Sequence, residues 1–268
     1  MRALETRSKE SGLSIPEIVT AVLTDALEIA EQPLFQVSTA TALVEGVTGG
    51  VVTIGELRER GDFGIGTFAE FDGEMIALDG EFFQVRASGE VSEPGDDALV
   101  PFAVVTDFRP EREFTIESVT SFHDLESLLD QHRQTDNLFY AVRISGRFDR
   151  MKTRSVWETA PGAPLVEAAA RQAEFDLENI SGALAGFWTP EYARTINVAG
   201  WHLHFLSEGR DAGGHLLDLA GVNLAVQMQD LADVRLVMPQ SDAFLNADLS
   251  EDPSAELEIA ERSRNASS

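Results

Sequence analysis

Two Asp-Gly pairs, Asp72-Gly73 and Asp79-Gly80, cut residues 65–85 into three short apolar runs. Those runs are 65–71, Glu74–Leu78 and Glu81–Val85. Aspartate followed by glycine tolerates the positive φ that tight hairpin turns demand, so this stretch predicts a β-meander. A chain committed to short antiparallel strands here must bury one face of them against another layer. The texture on either side agrees. Phe35-Gln36-Val37-Ser38 opens a β-rich region, and 102–108 reads as a further strand. Residues 138–145 and 148–156 read as strand on both sides of Gly146. Ser121 and Asp124, followed by Leu125, Leu128 and Leu129, mark a helix.

Before the meander, Ser14 and Glu17 make a capping-box pattern. Ile18, Val19, Val22, Leu23, Ala26, Leu27 and Ala30 follow at helical spacing. This predicts a helix over 15–29 ended by Pro33, after a frayed 1–13. Pro161 and Pro164 suggest a second boundary. The expected organisation is a helical extension (1–33), a mixed-sheet lobe (34–160) and an antiparallel-sheet lobe (161–268). In the last, 165–175 reads as helix and 182–188, 196–206, 215–229 and 234–237 as strands, before an acidic, helix-prone tail from Ala247. From pattern alone the class is mixed α+β and strand-rich.

The 268 residues carry a formal charge of −26, with Lys9 and Lys152 the only lysines. Such a surface repels phosphate backbones and anionic lipid, so neither nucleic acid nor membrane is an expected partner. The acids are scattered along the whole chain, which favours a solvated coat suited to a salt-rich cytoplasm over one acidic interaction surface. No apolar run approaches the ~20 residues that span a bilayer. The N-terminus lacks the basic-then-apolar layout of a secretory signal, so a cytoplasmic location is the expectation. Cysteine is absent, which excludes disulfides, thiolate metal sites and cysteine nucleophiles.

Three of the five histidines fall within GWHLHFLSEGRDAGGH, residues 200–215. Alternate side chains of a strand share a face. His202 and His204 therefore point together, while Trp201, Leu203 and Phe205 point to the core. The glycine-bearing segment 207–214 can turn the chain back and start a returning strand at His215. Three imidazoles without thiols fit an open metal site with a free coordination position. Ligand type alone leaves zinc, iron, nickel and copper open. His123 and His132 do not match metal spacing and read as surface residues.

At this point the chain resembles the bacterial α-acetolactate decarboxylase family. The resemblance covers nearly everything from Leu34 to Glu261. It rests on FQVST (35–39), GDFGIGTF (61–68), DGE (72–74), LFYA (138–141), KTR (152–154) and the histidine block. It implies two α/β lobes with mixed and antiparallel sheets, a metal site in the cleft between them, and a homodimer. It implies Zn²⁺ held by His202, His204 and His215. It also implies a catalytic Arg154, a catalytic Glu74 and a second glutamate from the tail, Glu261 or else Glu258. The implied reaction is decarboxylation of 2-acetolactate to acetoin and CO2 through a metal-stabilised enediolate.

Other readings compete. His202-x-His204 followed by Glu208 mimics the ligand spacing of a cupin-like dioxygenase or isomerase. Ile196 occupies the glycine position that family needs, and His215 comes too soon for its second motif. A non-catalytic metal-binding protein is the third reading. Taken singly, Arg154 within the basic 147–154 cluster, Glu74 after a turn, and the tail glutamates would each pass for surface residues.

Overall fold

The computed structural model describes residues 2–11, 14–16, 18–19, 22 and 33–261. The chain divides into two compact units, Met1–Gln32 and Pro33–Ser268. The first contains a helix over Arg2–Ser11, where fraying was expected. Ala3, Leu4, Arg7 and Lys9 are good helix formers, and Glu5 stands four residues before Lys9. Of the helix expected over 15–29, Ile15, Pro16, Ile18, Val19 and Val22 are helical, and the remainder lies outside the described residues.

The second unit is built on two main sheets. One is mixed and seven-stranded. Its strands are β1 (Leu34–Val37), β3 (Phe63–Thr67), β4 (Glu74–Leu78), β5 (Glu81–Val85), β6 (Val91–Ser92), β8 (Phe102–Thr106) and β14 (Val234–Val237), in the order β14-β1-β8-β3-β4-β5-β6. The β1–β14 pair is parallel and the others are antiparallel. A small ribbon pairs β2 (Val52–Thr53) with β7 (Leu99–Val100).

The other sheet contains β9 (Arg112–Val119), β10 (Phe139–Ser155), β11 (Ala173–Thr189), β12 (Gly200–Ser207) and β13 (Gly213–Leu231), all antiparallel. β10 pairs with β11 along one edge and with β13 along the other, and β12 joins β11 to β13. The ladder thus closes on itself and leaves few bare edges. It encloses a core of Tyr140, Phe148, Trp201, Leu203 and Phe205, among others. A second core lies between the sheets, with Ile65, Ile76 and Phe102 from the mixed sheet and Ala185, Phe187 and Leu206 from the closed one.

The ladders run across the expected boundary near residue 160. β10, before it, pairs residue by residue with β11 and β13, after it. Residues 33–268 form one compact unit with two sheet layers, and β14 returns from the closed sheet to the edge of the mixed one. The helix expected over 165–175 ends at Ala169, because Ala173 already pairs with Ser155. No helix among the described residues is long and apolar enough to cross a membrane.

The two Asp-Gly pairs behave differently. Leu78 pairs with Glu81, so Asp79-Gly80 is a two-residue turn, with φ of 54° and 80°. That is the type I′ pattern. Asp72-Gly73 instead ends a six-residue connection, since Thr67 pairs with Glu74. Within it Glu70 and Phe71 both adopt left-handed φ, 55° and 57°. The backbone of Glu70 is held on both sides: its N–H donates to the Thr48 carbonyl at 3.0 Å, and its carbonyl accepts from the Thr159 N–H at 2.8 Å. Such strain, ~1–3 kcal/mol per residue, persists only where the surroundings over-determine it. The result is a fully buried Phe71 and a fixed start for β4 at Glu74.

A Cβ at Gly80 would meet nothing closer than 4.0 Å, so its substitution costs backbone conformation alone. Gly80→Ala is expected to lower unfolding stability by about 1–2 kcal/mol, measured by denaturant titration, with metal binding unchanged.

Candidate metal centre

His202 and His204 lie on β12 with Leu206, on the face turned to the mixed sheet. Trp201, Leu203 and Phe205 point the other way, into the closed sheet's core, as the alternation requires. Ladder register supplies the rest. His204 pairs with His215 on β13, and His215 pairs with Arg154 on β10. Residues directly opposite in a ladder present their side chains to the same face. One lateral rung across three strands therefore carries His204, His215 and Arg154, with His202 two residues along.

Two local features bring the rung into line. In the β10–β13 ladder the register shifts between Lys152 and Thr153, with Leu217 of β13 the extra residue, and this brings His215 opposite Arg154. Gly214 has φ of 123°, and a Cβ there would stand 2.4 Å from the Arg154 carbonyl oxygen. Only glycine permits that approach immediately before His215.

The imidazoles converge. His202 Nε2 lies 3.1 Å from His215 Nδ1 and 3.2 Å from His204 Nε2. One ring nitrogen from each of the three lies within 4.8 Å of the others. Zn–N bonds of about 2.0–2.1 Å in a tetrahedron place ligand nitrogens roughly 3.3 Å apart, so the observed spacing suits a shared cation. His204 is also oriented from behind. Its Nδ1 is 2.9 Å from the Met75 carbonyl oxygen, which can only accept, so Nδ1 carries the proton. The lone pair of the neutral ring is then on Nε2, facing the other histidines. This is the supporting bond that metal-ligating histidines ordinarily make.

The environment keeps His202 and His204 neutral. Burial, reinforced by the Arg154 charge, pushes His202 down to about 3. Burial first, then His202 and Arg154, hold His204 well below the usual imidazole range, against the raising effect of the Met75 bond. Neutral imidazole is the form that ligates a metal.

Glu74 and Arg154 stand beside the rings. Glu74 shares a face of β4 with Ile76 and Leu78, the face turned to β12. Its Oε1 accepts from Arg154 Nη1 at 2.9 Å, and its Oε2 lies 3.7 Å from His204 Nε2. The side chains of Arg154 and Glu74 are only 4% and 6% exposed, so this is a buried ion pair and not the surface pairing that either would show alone. The two charges cancel and leave the site free of a net charge of their own. A cavity of about 40 Å³ is bordered by His202, His204, Glu74, Arg154 and several apolar side chains.

The other candidates separate from this group. Glu208 is exposed in the β12–β13 turn and lines a different cleft with Arg210, so the cupin-like ligand set does not assemble. His123 is exposed and pairs with Glu126 at 3.6 Å, while His132 stacks on Phe114. Glu258, on the helix Ser254–Glu261, is exposed and borders an outer cavity that also reaches His215. Glu261 ends that helix, and its side chain lies outside the described residues. Sequence reasoning missed Met75, whose backbone carbonyl has no residue-type signal, and Phe71, whose left-handed φ no motif announces.

A sequence model of the family described as alpha-acetolactate decarboxylase matches residues 34–251. An alpha-acetolactate decarboxylase of Methanosarcina mazei is 40% identical over 261 residues, covering 96% of this chain and 89% of that one. One from Bacillus subtilis (strain 168) is 39% identical over 217 residues, covering 81% and 85%. The crystal structure of alpha-acetolactate decarboxylase from Bacillus subtilis strain 168 superposes with a TM-score of 0.83 at 38% identity, over 86% of this chain and 100% of that one.

Single alanine substitutions at His202, His204 and His215 are each expected to weaken metal binding by at least about 10–100-fold, read by metal titration of the stripped protein. Gly214→Ala should weaken it too, with all three ligands still present, because the added methyl collides with the Arg154 backbone.

Proposed function

The chain belongs to the alpha-acetolactate decarboxylase family, and from that footing we propose that it is a Zn²⁺-dependent acetolactate decarboxylase that converts 2-acetolactate to acetoin and CO2. The observation that carries this reading is the buried Glu74–Arg154 pair beside three converging imidazoles, with Glu74 3.7 Å from His204. His202, His204 and His215 would hold the metal, and Arg154, Glu74 and a tail glutamate, Glu261, would act on the substrate. A bound Zn²⁺ supplies Lewis-acid polarisation of adjacent ketone and hydroxyl oxygens.

The chain's own groups account for the remaining requirements. Arg154 is permanently cationic and buried, so it can pair with the substrate carboxylate and keep it in register. Loss of CO2 leaves an electron pair at the former carboxyl-bearing carbon, delocalised toward the ketone oxygen. One proton must then reach that carbon, so the overall reaction consumes one proton per turnover. Glu74 Oε2 faces the histidines and is the candidate to carry it, with Glu261 as the second carboxylate. The apolar lining limits water, which sharpens each of these electrostatic contacts. Homodimerisation and a cytoplasmic location belong to the same proposal.

The test is anaerobic turnover of racemic 2-acetolactate by protein of measured zinc content, with acetoin and CO2 quantified. Metal bound at one per chain without acetoin would leave the non-catalytic metal-binding reading standing and overturn this one. Glu74→Gln and Arg154→Ala are expected to retain zinc and to lose turnover by about 10²-fold or more. Arg154→Ala should also cost about 3–5 kcal/mol of stability, since it leaves Glu74 buried without its partner. Glu261→Gln is expected to lose turnover and Glu258→Gln to keep it, which identifies the tail carboxylate.

A further inference from the structure

The helix Ser254–Glu261 packs on the metal cavity through Leu257, which is 5% exposed among Ala40, Phe71, Leu165 and Ala168. Leu257 borders two cavities at once. The inner one, of about 40 Å³, contains the faces of His202 and His204 with Glu74 and Arg154. The outer one, of about 270 Å³, is bordered by His215, Trp201, Arg194 and Glu258. Val198 also borders both, so Leu257 and Val198 are the partition between a small chamber and a roomy one.

The chemistry of a 2-hydroxy-3-keto acid assigns the chamber's surfaces. On the reading above, Arg154 would take its carboxylate, and a metal held by the three histidines would take its hydroxyl and ketone. Its alkyl groups are left to meet the apolar lining, Leu43, Phe71, Phe102, Val198 and Leu257. Most of that lining is fixed. Phe102 is in the middle of the mixed sheet, and Phe71 is held by the clamped left-handed turn. Leu257 comes from an eight-residue helix with no ladder behind it, and it lines both chambers.

We propose that Leu257 is a specificity-determining residue, the stop that restricts the C2 substituent of the substrate to a short alkyl group. The proposal rests on the decarboxylase reading above. Deleting it opens space for a longer chain, whereas the polar grip on the carboxylate, hydroxyl and ketone is untouched.

The experiment compares kcat/KM for 2-acetolactate and for its homologue with propyl in place of the C2 methyl, using zinc-loaded wild type, Leu257→Ala, Leu257→Val and Leu257→Met. The propyl-to-methyl ratio is expected to rise at least about tenfold in Leu257→Ala, to rise less in Leu257→Val, and to stay near wild type in Leu257→Met. Zinc content should be unchanged in all four. A helix that merely stabilises the fold would lower both substrates together and leave the ratio alone. A ratio within about twofold of wild type in Leu257→Ala, with zinc and turnover retained, overturns the proposal. Should Leu257→Ala lose zinc or melt early, Leu257→Val decides by the same ratio. Absence of CO2 release by the wild type from either substrate is a different result: it overturns the decarboxylase reading and this proposal with it.

Discussion

The bond from His204 Nδ1–H to the Met75 carbonyl ties the two sheets together at the place where the chemistry is assembled. His204 belongs to the closed sheet and Met75 to the mixed one. Facing sheets normally meet through apolar side chains at about 10 Å, a contact without direction. This bond has direction. It sets which nitrogen of His204 faces the cluster, and it sets where β4 stands along β12. Glu74 precedes Met75, so the same bond brings Glu74 to 3.7 Å from the ring it orients. Rotating the imidazole would break this bond, at a net cost of about 0.5–1.5 kcal/mol. Ligand geometry and carboxylate position are therefore one constraint.

Burying a charge beside a metal site demands compensation, and the arrangement of Arg154 and Glu74 provides it locally. Each is almost inaccessible, and each would be expensive to bury alone. Paired, they contribute no net charge to the histidine cluster. A divalent cation held by such rings keeps its charge for the substrate, since no anionic ligand among the three quenches it. The guanidinium also disfavours protonation of His202 and His204, and so favours the ligand form of those two rings.

How far the sequence disclosed this depends on whether a feature is local. Period-two alternation at 201–205 put His202 and His204 on one face and Trp201, Leu203 and Phe205 on the other, because pleat geometry needs no tertiary information. Asp79-Gly80 was legible for the same reason, whereas Asp72-Gly73 looked identical and ends a longer, strained connection. Pairing of Arg154 with His215 was not legible, because it depends on a register shift that exists only once β10 and β13 meet. β9 escaped notice, with Arg112, Glu113 and Glu117 masking a strand whose partner is 100 residues away. The boundary read from Pro161 and Pro164 falls between two strands that pair residue by residue, where a turn marked by prolines resembles a linker. The family resemblance supplied the expectation of catalytic roles for Glu74 and Arg154, which their surroundings in sequence would have assigned to the surface.

The charge of the chain and the charge of its substrate pose a final problem. A surface at −26 repels an anion, yet the site must capture a carboxylate. The two interactions differ in range. Repulsion from a scattered acidic coat acts over many ångströms of water, where a Debye length of ~10 Å at 0.1 M salt, or ~3 Å at 1 M, removes most of it. The contact proposed for Arg154 would be made at hydrogen-bond distance in a buried cavity, where ions do not intervene and the local dielectric is low. Salt therefore suppresses the term that opposes capture far more than the term that achieves it. An acidic coat and an arginine-centred anion site are compatible when the solvent is concentrated in ions, and increasingly at odds as it is diluted.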